Sequence, residues 1–154
     1  MGTRFDESLF VGEDSLFVAC AIKRAKRIVI NEKSLYFYFE RTGSASRVEN
    51  FNEKVYTEIY AWKRICDLYI DNSKIQETCF AAYAIRCMRL VEKYLKDKNF
   101  RKNYYKKTLI EFRKHYKYVK RYVIKNIREK LKYDLFYFSP SFYSFLKKVL
   151  RLGI

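Results

Sequence analysis

The sequence predicts an α+β protein that is predominantly α: one helix with two short strands, followed by a bundle of three to four helices. Three observations predict it. Pro occurs once and Gly four times in 154 residues, so few built-in breaks interrupt the chain and long helices are favoured. From residue 52 onward apolar residues recur at helical spacing, which marks buried faces. Between residues 28 and 39 two short runs are β-branched or aromatic instead, which is the composition of strands.

The elements follow in order. Phe5 to Gly12 reads as a loop with a short extended piece. Glu13 to Lys26 reads as a helix. Leu16, Phe17, Cys20, Ala21 and Arg24 lie at helical spacing, and Glu13 and Asp14 fall in the first turn, where the helix dipole favours negative charge. Ile28-Val29-Ile30 is a predicted strand, Asn31 to Ser34 a polar turn, and Leu35 to Phe39 a second strand. Arg41 to Ser46 is a loop of small polar residues. Beyond it, Val55, Ile59, Trp62, Cys66 and Tyr69 form one helical stripe, and Phe80, Tyr83, Cys87, Leu90 and Tyr94 a second. Tyr105, Leu109, Phe112, Tyr116, Val119 and Val123 step alternately by four and three, close to a heptad pattern. Asp71-Asn72-Ser73 and Asp97-Lys98-Asn99 suit turns between helices. Ser139 as N-cap and Pro140 at the first position start a last short helix.

Charge divides the chain unevenly. The net charge is +16, yet residues 1–50 and 51–97 each carry 8 Lys/Arg against 7 Asp/Glu. Residues 98–154 carry 17 against 3, interleaved with Tyr and Phe. That field attracts anions. Three readings stand open for it: a solvated face on core-packed helices, a membrane-surface helix drawn to anionic lipid, or a nucleic-acid surface. No recognised DNA- or RNA-reading motif is present, which argues against the third. No apolar run approaches the roughly 20 residues that span a bilayer, so membrane contact would be peripheral. Cys20, Cys66, Cys79 and Cys87 form no CxxC pair and occupy apolar helical positions, as reduced core thiols of a cytosolic protein do. His115, the one histidine, is expected on a charged surface, with no metal or catalytic role.

Glu13-Asp14 carries the candidate chemistry. A sugar hydroxyl is a weak nucleophile, and a carboxylate set against it can take its proton as the new bond forms. Two acids in a first turn are, on spacing alone, helix-stabilising charges. Their context adds more. Phe5-Asp6-Glu7, Leu9, Gly12-Glu13-Asp14 and Phe17, followed by Tyr36, Tyr38, Arg41, Gly43-Ser44 and Ser46, resemble the closing segment of bacterial family 2 glycosyltransferases. The likeness covers about residues 4–47. It implies a remnant of a GT-A fold, with residues 1–50 as the acceptor-side part of the transferase domain and residues 51–154 as a helical extension. It implies Asp14 as the catalytic base, Glu13 as an acceptor-binding group, and Arg41, Ser44 and Ser46 near the donor diphosphate. Arg41 fits that role chemically, because a guanidinium forks onto phosphate oxygens.

The intact parent would use a nucleotide-sugar donor, a glycan or lipid-linked acceptor, and Mg²⁺ or Mn²⁺ held by an Asp-x-Asp motif. This sequence has no Asp-x-Asp, so no cofactor is expected in this chain. It is expected to be a fragment, inactive alone and peripheral at the inner face of the cell membrane. Apolar residues Phe5, Phe10 and Phe17, left without the donor half, would favour homo-oligomers. The rival expectation is a non-catalytic helical module that binds a partner or an anionic membrane.

Overall fold

The computed structural model describes residues 4–33, 37, 39, 53–96 and 102–149. It holds six α-helices: α1 (Glu13–Arg24), α2 (Thr57–Leu68), α3 (Ser73–Lys96), α4 (Lys102–Tyr122), α5 (Ile127–Phe138) and α6 (Pro140–Val149). A 3-10 turn, Glu53–Tyr56, leads into α2.

No strand occurs among the described residues. This overturns the α+β expectation and with it the GT-A remnant of one helix and two strands. Ile28, Val29 and Ile30 have no regular structure and are exposed, Ile30 at 88%. Phe37 and Phe39, also exposed, are likewise outside any strand. The physical reason is that β-branched and aromatic residues favour strands when they can pack on a neighbouring strand and complete its hydrogen-bond ladder. The described residues offer no such neighbour. The rest of the second predicted strand, the Arg41–Ser46 loop and the 97–99 turn lie outside the described residues.

The helices pack in two connected clusters. The larger joins α2 to α6 through Ile59, Cys87, Leu90, Val91, Tyr94, Phe112, Tyr116, Val119, Phe136 and Tyr143, all buried. α3 and α4 form its most extensive contact. They run antiparallel, since Glu77 meets Arg121, Phe80 meets Tyr118, and Tyr83 meets Glu111. α5 returns along α4: Phe112 meets Phe136 edge-on at 5.0 Å, and Tyr116 donates to Asp134 at 2.6 Å. The smaller cluster joins α1 to α2 through Leu9, Leu16, Ala19, Ala61, Ile65 and Tyr69. It draws on both sides of residue 50. Cys66 and Cys87 are buried, and all four cysteines are free.

Ser139 and Pro140 behave as expected. The Ser139 hydroxyl accepts from Phe142 N at 3.3 Å, and Pro140 opens α6. Among the described residues five α-helices follow residue 52, more than the three or four expected. The added break falls after Tyr122. There Asn126 caps α5 by accepting from Glu129 N at 2.9 Å, while the Glu129 carboxylate turns back to accept from Lys125 N at 2.7 Å. This is close to a capping box.

Candidate functional site

The segment before α1 is built to hold that helix's N-terminus against α2. Asp6 turns the chain: its carboxylate accepts from Ser8 N at 2.9 Å and from the Ser8 hydroxyl, and Arg64 of α2 reaches its other oxygen. The Ser8 hydroxyl and, after it, the Arg64 guanidinium hold the Asp6 carboxyl down at about 2. Phe5 stacks on Phe17 with ring centroids 4.4 Å apart. Two residues further on, Thr57 secures the backbone. Its hydroxyl oxygen accepts from Phe10 N at 3.1 Å and from Val11 N at 2.9 Å, and its own proton goes to Lys54 O at 2.7 Å.

Gly12 follows with φ +93, the left-handed region that favours glycine. A Cβ there would stand 2.8 Å from Ala61 Cβ and 3.4 Å from Glu58 Cα. Both the backbone angle and the closeness of α2 therefore require Gly. The far end of α1 is tied as well. Tyr69 OH donates to Ala19 O at 3.1 Å, and Lys23 pairs with Asp71. These ties run in register from Gly12–Ala61 to Lys23–Asp71, so α1 lies on α2 in a parallel sense.

The Glu13-Asp14 pair falls immediately after Gly12. Asp14 is exposed and Glu13 half-buried. Asp14 Oδ1 accepts from Ser15 N at 2.6 Å and from the Ser15 hydroxyl at 3.2 Å, and among the described residues no hydrogen bond fixes its other oxygen. A carboxylate so placed can accept a proton from an external hydroxyl. A depression of about 490 Å³ lies beside the pair's helix, lined by Phe5, Asp6, Leu16, Phe17, Cys20 and Arg64; neither Glu13 nor Asp14 lines it. The remaining predicted site residues, Arg41, Ser44 and Ser46, lie outside the described residues. Among the described residues no three His, Cys, Asp or Glu side chains gather as a metal site.

His115 departs from its expected surface position. It is buried, because Thr108, Phe112, His115 and Val119 form the innermost seam of α4. Its ring stacks on Phe80 at 4.6 Å and meets Tyr83 edge-on at 5.4 Å. Nδ1 lies 3.0 Å from Glu111 O, and since a carbonyl only accepts, Nδ1 carries the proton. Burial, reinforced by Lys114 and Lys117, lowers its pKa below the usual histidine value, although the Glu111 carbonyl and carboxylate pull the other way. The seam's steps of four, three and four were present in the sequence. They were masked by the lysines on either side and by the parallel stripe through Leu109 and Tyr116.

No helix among the described residues is long and apolar enough to cross a membrane. No family profile, curated protein or solved structure matches the chain.

Proposed function

We propose that this chain carries the acceptor-side segment of a glycosyltransferase that moves a sugar from a nucleotide-diphosphate donor to a hydroxyl of a glycan or lipid-linked acceptor, in cell-envelope polysaccharide or glycolipid synthesis. One observation carries the reading. The residues of the Phe5-to-Phe17 motif behave as one built unit, in which the Asp6 turn, the Thr57 clamp and the left-handed Gly12 present Asp14 to solvent at the start of α1.

In this mechanism Asp14 takes the proton of the acceptor hydroxyl. The acceptor oxygen bonds to the anomeric carbon as the bond to the diphosphate breaks, and the nucleotide leaves, with inversion. Glu13 orients the acceptor, and Arg41, Ser44 and Ser46 offset the diphosphate charge. The nucleotide-sugar donor and its Mg²⁺ or Mn²⁺ would have to be held by a separate donor-binding unit, and the reaction would take place at the cytoplasmic face of the membrane.

The test begins with the reading frame upstream of this chain: a βαβ segment with an Asp-x-Asp is expected there, its absence refutes the proposal, and the joined polypeptide is then assayed. In that polypeptide Asp14→Asn lowers kcat by about 10²–10⁴-fold with donor KM unchanged, and Glu13→Gln raises acceptor KM. Full turnover by the Asp14→Asn variant refutes the assignment. Hydrolysis of a UDP-sugar by the purified 154-residue chain would overturn the division of labour.

A further inference from the structure

The last two helices each turn an apolar stripe outward. On α5, Ile127, Leu131 and Phe138 step by four and seven, so they share one face, and Phe138 is 75% exposed. Phe136, on the opposite side of the same helix, is fully buried against Phe112. On α6, Phe142, Phe145 and Val149 step by three and four and are all exposed, Phe145 at 60%. Tyr143 and Pro140 fill the buried side of α6, and Lys147 anchors it to Glu92 of α3 at 3.0 Å. Neither stripe is needed for the core.

Charge decides what these faces meet. Residues 125–149 contain six Lys/Arg, namely Lys125, Arg128, Lys130, Lys132, Lys147 and Lys148, against two acids. Both acids are already engaged: Glu129 accepts from Lys125 N, and Asp134 lies between Lys130 and the Tyr116 hydroxyl. With Lys130 paired to Asp134 and Lys147 to Glu92, the stripes still sit in a net positive field from Lys125, Arg128, Lys132 and Lys148.

We infer that the outward faces of α5 and α6 dock this chain on an anionic lipid surface. Phe, Leu, Ile and Val enter the headgroup–acyl boundary while lysines and arginines meet the headgroups. Nucleic acid would complement the charge, but it offers no apolar phase to Ile127, Leu131 and Val149, which cannot stack on bases as aromatic rings do. A second copy would complement the apolar stripes but bring the same positive field against itself. The inference stands apart from the sugar-transfer reading, and either can fail alone.

Flotation of the full chain with phosphatidylglycerol–phosphatidylcholine vesicles and with pure phosphatidylcholine vesicles, at low and high salt, tests it. The expected result is binding to the anionic vesicles that weakens with salt, and little binding to the neutral ones. Phe142→Ser with Phe145→Ser lowers the partition coefficient by about tenfold or more. Lys148→Gln lowers it by about fivefold. Ile70→Ser, which removes a still more exposed apolar residue in the α2–α3 turn, changes nothing. Since both phenylalanines are exposed, the circular dichroism of the double variant matches the parent. Equal partition onto neutral vesicles would overturn the inference, as would a double variant that binds like the parent. So would binding of single-stranded nucleic acid without binding of vesicles, or a lipid-free dimer that Phe142→Ser with Phe145→Ser disperses.

Discussion

Gly12→Ala separates the two demands made on the residue ahead of the acidic pair. The first demand is backbone: φ is +93, and a left-handed conformation costs an L side chain about 1–2 kcal/mol. The second is space: the new methyl would meet Ala61 Cβ at 2.8 Å, and overpacking of that kind costs about 1–3 kcal/mol. The methyl also restricts the unfolded chain, which offsets the loss by about 0.4–1 kcal/mol. Urea unfolding followed by circular dichroism should therefore show a net loss of about 1–4.6 kcal/mol. Ala61→Gly resolves the terms. Alone it loses about 1 kcal/mol as a glycine inside a helix, and more for the buried methyl. Combined with Gly12→Ala it opens the space the new methyl needs, so the pair should couple favourably by about 1–3 kcal/mol, leaving the backbone cost in place. A Gly12→Ala protein as stable as the parent would refute the claim that α1 is set against α2 by a required glycine. Zero coupling would refute the steric half alone.

Three further outcomes follow from the same packing. Phe112→Ala should cost about 3–5 kcal/mol by opening a cavity between α4 and α5, whereas Phe145→Ala should change urea stability by less than about 0.5 kcal/mol. Thr57→Val keeps the shape but strips the acceptor from Phe10 N and Val11 N; with Val11 half-buried it should lose about 1–3 kcal/mol, and hydrogen exchange at those two amides should quicken. His115 gives a pH signature. Its folded pKa lies below the unfolded 6.5, so the unfolded chain binds the extra proton and stability is full above pH 6.5. It is lost as pH falls from there toward the folded value. The His115→Phe variant should lack that decline, while both proteins lose stability at still lower pH as Asp6, Asp71 and Asp134, all with lowered pKa, protonate. An identical profile above pH 5 in parent and variant would contradict the burial argument.

Much of the helical architecture was legible because its signals are local. The acids of the first turn marked where α1 begins, and it ends at Arg24, two residues before the expected Lys26. Ser139-Pro140 marked α6 to the residue. The α4–α5 break was legible too, in Asn126-x-x-Glu129, but the apolar run through Val123, Ile124 and Ile127 reads on as one helix and hides it. The strands show the opposite case. Ile28-Val29-Ile30 has strand composition, but a strand exists only with a partner, and partnership is a long-range property that three residues cannot declare. His115 was misplaced for a related reason: lysines at 114 and 117 describe one side of a helix, while residues 108, 112 and 119 decide where the ring points.

The candidate site divides along the same line. What the sequence could not show is that Thr57, Ala61 and Arg64, all on α2, cooperate with residues 5–14 across 46 to 58 positions of chain. That dependence has a consequence for any shortened version of the protein. Leu9, Leu16 and Ala19 have their buried partners in Ala61, Ile65 and Tyr69, so residues 1–50 expressed alone would lose the apolar surface that orients α1. A helix of 12 residues is marginal in water without such packing. The acidic pair keeps its position only while α2 is present, and α2 in turn rests on α3. The helical region is thus the support on which the presentation of Asp14 depends, whatever else its basic outer face binds.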